Sequence, residues 1–215
     1  MRISAAGRTD AGVHATGQVV SFSAGEFPVE RLALALNSVL PSDITIREAA
    51  TVADGFSARF DAEARTYEYL IFNRATPSAV ARRFAHHVPR ALDAALMDAA
   101  GQALVGCHDF IAFCGILPEF GGTERTVHAV EVRREAEIVR VRITAEGFLH
   151  RMIRIAVGTL VEIATGRRPP EDLEAILASR DRRRAGYTAP PAGLFLAGVR
   201  YAGFDSYAGP VGLLA

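Results

Sequence analysis

Apolar side chains recur along this chain with two periods, and the alternation between them predicts its elements. The strongest helical signal is residues 148–165, where Phe148, Leu149, Met152, Ile153, Ala156, Val157, Leu160, Val161 and Ala164 return at the helical interval and Gly166 supplies a stop. Residues 65–73 have period two instead. Tyr67, Tyr69 and Ile71 share one face and Glu68, Leu70 and Phe72 the other, which predicts a central strand covered on both sides. Residues 126–134 and 138–145 predict an antiparallel hairpin, in whose second strand Val139, Val141 and Ile143 alternate with Arg140, Arg142 and Thr144, the pattern of one buried and one wet face. Such a basic face binds phosphate or is simply solvated.

Weaker signals complete the outline. Strands are predicted at 1–5, 18–23 (Gln18, Val20 and Phe22 on one face), 43–51 (Ile44, Ile46) and 194–201. Helices are predicted at 28–39, with Leu32, Leu36 and Val39 as its apolar stripe and Pro41 closing it, at 91–105 before Gly106, and at 171–179 after Pro169-Pro170. Residues 107–114 form a short apolar element, and 73–89 and the Arg-rich 180–187 read as loops that are solvated or touch an anionic partner. The clearest break is 117–123, with Pro118 and Gly121-Gly122. The mixture predicts an α+β protein with an N-terminal half at 1–116, a linker at 117–123, a C-terminal half at 124–201 and a loose tail at 202–215. No period of 20 to 50 residues repeats, which excludes a solenoid.

Composition narrows this picture without deciding it. The 215 residues are 50% hydrophobic and 22% charged, enough apolar material for a core. No apolar run approaches the ~20 residues of a membrane span, and the N-terminus has no secretory h-region, so a cytoplasmic location is expected. Cys107 and Cys114 are the only cysteines; their spacing suits neither a disulfide framework nor a zinc pair, and they read as buried small hydrophobes. His86-His87, His108 and His128 lack metal-site spacing, so no metal is expected. Net charge is zero, but residues 123–200 hold 14 Arg against 10 acids, a net of +4 balanced by −4 elsewhere. Every basic residue is arginine, through codon bias or because guanidinium groups suit phosphates and bases.

The candidate chemistry lies in Gly7-Arg8-Thr9-Asp10-Ala11-Gly12-Val13-His14-Ala15-Thr16-Gly17-Gln18. Asp10 stands between Gly7 and Gly12, with Arg8 and His14 as flanking fixed and titratable positive charge. An isolated Asp-Ala-Gly reads as a solvated turn. The twelve residues together are far more specific and read as an active-site loop. Residues 6–15 resemble the active-site motif of the TruA family of tRNA pseudouridine synthases. Later segments follow in that family's order: Phe56-Ser57-Ala58-Arg59-Phe60, Arg65-Thr66-Tyr67-Glu68-Tyr69, His108-Asp109-Phe110, Gly147-Phe148-Leu149-His150-Arg151-Met152-Ile153-Arg154 and Ala189-Pro190-Pro191-Ala192-Gly193-Leu194-Phe195-Leu196. Ser57 stands where the family commonly has His, and Ile155 where it commonly has Asn.

The resemblance implies two ferredoxin-like halves sharing a mixed, largely antiparallel central sheet, with a cleft between them. It implies that Asp10 is the catalytic nucleophile, adding to uracil C6 or ribose C1′, and that Arg154 is its counter-charge. Periodicity alone would leave Arg154 on the surface and Tyr67 in cross-strand packing; the resemblance puts Tyr67 in the cleft, stacked on the base and active in removing the C5 proton. Arg8 would contact phosphate or fill the gap left by an extruded nucleotide. The implied substrate is tRNA, at positions 38 to 40 of the anticodon stem-loop, and the implied assembly is a homodimer. Uridine isomerisation is redox-neutral, so no cofactor is expected. Family members carry a strand and helix ahead of the Asp loop, opening with a Tyr-Asp-Gly-Thr-like segment; without them the first half is expected to expose a sheet edge. Two other readings compete: a catalytically inactive tRNA-binding fragment, and a carboxylate-nucleophile glycoside hydrolase, which needs a second catalytic acid about 5 to 10 Å from Asp10.

Overall fold

A computed structural model describes residues 3–212. The strands are β1 (Ser4–Ala5), β2 (His14–Ala15), β3 (Val20–Ser21), β4 (Ala64–Phe72), β5 (His86–His87), β6 (Gly106–Asp109), β7 (Glu124–Glu135), β8 (Ile138–Ala145), β9 (Leu194–Tyr201) and β10 (Phe204–Asp205). The helices are α1 (Val29–Asn37), α2 (Ala94–Gly101), α3 (Met152–Ala164) and α4 (Asp172–Ser179). One mixed sheet dominates, in the order β10-β9-β4-β8-β7-β6, with β2 parallel to β9 and β5 parallel to β4; every other pairing in it is antiparallel. The class is α+β, as expected.

Strand β4 is the centre of this sheet, flanked by β8 and β9 along most of its length. Its two faces differ in kind. Tyr67, Tyr69 and Ile71 join Val139, Val141 and Ile143 of β8 in the main core, which α2 and α3 cover with Met97, Ile153, Val157 and Leu160. On the other side, Leu70 and Phe72 form a smaller cluster with Phe195, Ala197 and Val211. The two-sided pattern of β4 is therefore that of a strand buried on both faces.

The second face is not wet, contrary to the alternation in β8. Arg140 is buried, and Glu68 beside it on β4 is fully buried. Glu68 Oε2 accepts from Arg140 Nη1 at 2.6 Å and from the Val211 amide at 2.8 Å, while Oε1 accepts from Arg142 Nε at 3.0 Å and the Tyr207 hydroxyl at 3.0 Å. Four donors fill the four acceptor positions of one carboxylate. This network ties down residues 204–211, predicted to be a loose tail; β10 and Val211 pack on the sheet, and residues 213–215 lie outside the described residues.

Several boundaries shift for local reasons. Residues 43–51 pair with no strand, because the Asn37 side chain takes both the amide and the carbonyl of Ile46, at 2.7 and 2.8 Å. The α1 stripe is not core: Leu32 and Leu36 are half-buried and Val39 is 77% exposed. Helix α3 begins four residues later than its periodicity, since Arg151 takes φ 61 and the His150 carbonyl accepts from Gly115 at 2.8 Å. Cys114 is buried, but Cys107, on the edge strand β6, is exposed. Residues 1–2 of the predicted first strand lie outside the described residues, and its visible end, β1, pairs with β3 in a separate two-stranded sheet.

Removing Glu68 leaves buried Arg140 with half-exposed Glu135 as its remaining counter-charge and takes the acceptor from Tyr207 and the Val211 amide. Glu68→Ala is expected to lower the free energy of unfolding by about 3 kcal/mol in urea denaturation, and to make residues 204–211 susceptible to proteolysis under native conditions.

Candidate active site

The Asp10 loop is held at both ends by backbone hydrogen bonds. Strand β2 runs parallel to β9, and the Thr16 and Gly17 amides both donate to the Leu196 carbonyl, at 3.0 and 3.1 Å. A side chain at Gly17 would place its Cβ 2.2 Å from the Ala197 carbonyl oxygen, so only glycine allows this approach. On the other arm the Ala6 amide donates to the Val19 carbonyl at 2.9 Å, and the Gln18 side chain donates through Nε2 to the Gly7 carbonyl at 2.8 Å. Within the turn, Val13 donates to the Asp10 carbonyl at 3.0 Å and Gly12 takes φ +81, in the left-handed region. His14, which the sequence offered as titratable charge beside Asp10, faces away: its ring stacks on Phe195 at 4.8 Å and its Nε2 bonds the Arg83 carbonyl at 2.9 Å.

The turn delivers the Asp10 carboxylate to the N-terminal end of α3. Arg154 Nη1 donates to Asp10 Oδ2 at 2.7 Å, and its Nε donates to the Ala189 carbonyl at 2.7 Å. The Ala189 amide returns a bond to the Arg154 carbonyl at 3.0 Å. Arg154 is only 9% exposed, not the surface residue that periodicity alone indicates. Its guanidinium is thereby fixed on both sides, and the helix N-terminus adds positive potential where the carboxylate sits. Two further basic side chains stand near. Arg151 Nε is 3.9 Å from Oδ2 and His150 Nε2 is 3.6 Å from Oδ1. The sequence reading did not single out His150 as a site residue, and no spacing signal would have found it: it reaches Asp10 because the chain turns out of helical geometry at Arg151.

Tyr67 reaches the same place from β4. It is buried, packs edge-on against Phe148 with ring centroids 5.2 Å apart, and its hydroxyl lies next to Gly7, where an added Cβ would sit 3.4 Å away. Burial pushes its phenol up to about 12, opposed in part by the Arg65 charge, and Asp10 adds a smaller rise. At neutral pH it is therefore a phenol and a proton donor. Arg65 braces this floor, donating to the carbonyls of Ala6, Arg59, Ala62 and Glu146. Arg8 is exposed beside Asp10, and its side chain has no partner among the described residues. Ser57 Oγ lies 3.3 Å from Ser4 Oγ, and Ile155 is fully buried in the core.

Asp10, Arg154 and Tyr67 thus converge from residues far apart in sequence, with Arg8 at the solvent side. A family model described as tRNA pseudouridine synthase matches residues 1–61 and 100–202. The chain belongs to that family. A tRNA pseudouridine synthase A of Moorella thermoacetica is 48% identical over 198 residues, 92% of this chain and 80% of that protein. Those of Halalkalibacterium halodurans (44% over 195 residues, 90% of this chain and 74% of that protein) and Bacillus subtilis (38% over 200 residues, 93% and 81%) are similar to it over the same span. The family membership implied by the Asp10 motif is thereby established. Within this pseudouridine synthase sequence, the matched residues include the Asp10 loop and the 147–154 segment that holds its partner.

The buried phenols make a pH prediction. Tyr67, Tyr201 and Tyr207 are each pushed up to about 12, chiefly by burial, against about 10 in an unfolded chain. Between these values the unfolded chain sheds protons that the folded chain keeps, so stability is expected to be intact below pH 10 and to fall as pH rises toward 12. Urea midpoints across this range check it; a midpoint that does not move would contradict the burial of these hydroxyls.

Proposed function

We propose that this protein isomerises uridine to pseudouridine in tRNA, at positions 38 to 40 of the anticodon stem-loop, with Asp10 as the covalent nucleophile. The observation that carries the reading is the Asp10–Arg154 ion pair, 2.7 Å long, set beside a buried phenol. Pseudouridine formation breaks the uridine N1–C1′ bond, turns the uracil and rejoins it to C1′ through C5, with loss of the C5 proton to solvent and gain of a proton at N1. A carboxylate that bonds covalently to the substrate keeps the two pieces together while the ring turns. Arg154, bound to both Asp10 and Ala189, aims that carboxylate, and a 28% exposed Asp10 side chain remains open to an incoming base.

Tyr67 offers its ring as a platform for the base and its hydroxyl as a donor. To take the C5 proton it must first release its own, so its direct role at neutral pH is stacking and hydrogen bonding. Arg8 faces solvent and is free to meet the RNA where the uridine leaves the stack. Arg151 adds a second guanidinium beside Asp10, which suits a polyanionic substrate. No step transfers electrons, so the chemistry asks for no redox cofactor. Arg140 and Arg142 are taken up by Glu68, so phosphate contacts fall to exposed arginines such as Arg8, Arg82 and Arg83. Homodimeric assembly and cytoplasmic residence belong to the same reading; among the described residues no helix is long and apolar enough to cross a membrane. Exposed Leu34 (76%) and Val39 (77%) around α1 offer apolar surface for a second copy, which sedimentation equilibrium would reveal as twice the chain mass.

The test of the nucleophile is Asp10→Asn. Release of tritium from tRNA labelled at uridine C5 is expected to fall below detection, while tRNA binding stays within about threefold of wild type because shape and backbone contacts dominate it. Turnover by Asp10→Asn would remove Asp10 from its role. Wild-type protein that binds tRNA and liberates no tritium would leave a binding protein without this activity.

A further inference from the structure

The end of α3 remote from Asp10 carries a second concavity, with a volume of about 230 Å³. One wall is the segment from His86 to Arg90; the other is Val161 and Arg167 at the helix end, with Tyr187 closing it. The rings of His86 and Tyr187 meet edge-on, 6.1 Å between centroids, and Val88 and Val161 continue the apolar lining. At the rim Arg90 and Arg167 are exposed, and neither guanidinium has a partner among the described residues. Burial pushes the His86 imidazole down to about 4, so this ring is neutral at physiological pH.

Resting on the reading of this protein as a tRNA-modifying enzyme, we infer that this pocket holds one unpaired nucleotide of the bound RNA, its base against Tyr187 and its phosphate between Arg90 and Arg167. The chemistry is that of an aromatic ring carrying an anion: an apolar, partly aromatic interior, and two guanidiniums without internal counter-charge at the opening. The size limits it to one residue. The pocket is smaller than the ~300–1,000 Å³ of sites for drug-sized molecules.

Position ties the pocket to the active site. Val161 and Thr165 follow Arg154 by seven and eleven residues, about 10 and 17 Å along the helix axis at 1.5 Å per residue. The segment that forms the first wall also touches the Asp10 loop: the Arg83 carbonyl meets His14 Nε2 at 2.9 Å, and Phe84 lies 5.2 Å from the His14 ring. Exposed Arg82 and Arg83 precede this wall in the chain.

The experiment uses full-length tRNA transcript and the intact protein. For the double variant Arg90→Gln/Arg167→Gln, Kd is expected to rise about tenfold and the slope of log K against log salt to become shallower by about 1.4, the loss of two single-strand phosphate contacts at ~0.7 each. Maximal tritium release at saturating tRNA should be unchanged. Tyr187→Leu should weaken binding about tenfold without altering the slope, and Tyr187→Phe, which keeps the ring, should bind as wild type. 4-Thiouridine placed singly through the stem-loop should crosslink to the 86–90 peptide or Tyr187 from one position, a few nucleotides from the modified uridine. Wild-type affinity and slope in the double variant, or crosslinks that are absent or equal from all positions, would overturn the inference. So would uridine 5′-monophosphate that binds here while tRNA affinity ignores all these substitutions, which would assign the site to a free nucleotide. A wild-type protein that crosslinks as expected yet releases no tritium would sink the catalytic reading alone.

Discussion

One guanidinium holds the site together. Arg154 donates to Asp10 with one nitrogen and to the Ala189 carbonyl with another, joining the N-terminal loop, helix α3 and the segment leading into β9 at one point. An arginine suits this because its donors lie in a fixed plane, so satisfying one partner orients the other. The residues it joins are 144 and 35 positions apart, and nothing local would bring them together. Because Arg154 is nearly inaccessible, its charge needs a partner, and Asp10 supplies it from a side chain that still opens to solvent. Electrostatic need and catalytic position coincide in this pair.

The sheet explains how that pair is kept in place. Strand β4 separates an apolar core on one side from a polar network on the other, and both sides serve the site. Tyr67 leaves the core side toward Asp10, and neighbouring Tyr69 donates to the Pro190 carbonyl at 2.8 Å, next to the residue Arg154 binds. Glu68, between them, faces the other way and anchors the last described turn of the chain through Tyr207 and the Val211 amide. Ser206 extends that anchor, its hydroxyl donating to the Gly17 carbonyl at 2.7 Å. The C-terminal segment thus buttresses the strand that carries the Asp10 loop, from the face opposite the main core.

Helix α3 links the catalytic end to the proposed nucleotide pocket. Its first turn carries Arg154, and its last turns line the concavity with Val161 and Thr165. A helix packed along its whole length behaves as a rigid spacer, and eleven of its thirteen residues are buried. The distance between the two sites is therefore set by residue count alone, which would let one RNA strand be read at two points without any moving part.

The elements whose signals are periodic were legible in the sequence. The central strand around Tyr67–Phe72, the hairpin of β7 and β8, β9 and the body of α3 all follow from apolar spacing, because burial of one or both faces imposes that spacing directly. The Asp10 loop was legible as well, since a dense run of Gly, Asp, Arg and His has few structural uses. What spacing misjudged was polar. Arg140 and Arg142 alternate as wet-face residues do, yet Glu68 on the neighbouring strand takes both in; Arg154 sits at a stripe's edge, yet Asp10 draws it inward. His150 became a neighbour of Asp10 only because Arg151 adopts a left-handed conformation that no pattern of hydrophobicity encodes. Sequence by itself determined which residues must leave water, since transfer of apolar surface depends on each side chain's own chemistry. Tertiary structure alone decided which charges meet, because a buried ion is tolerated only where a distant segment brings its opposite within a few ångström.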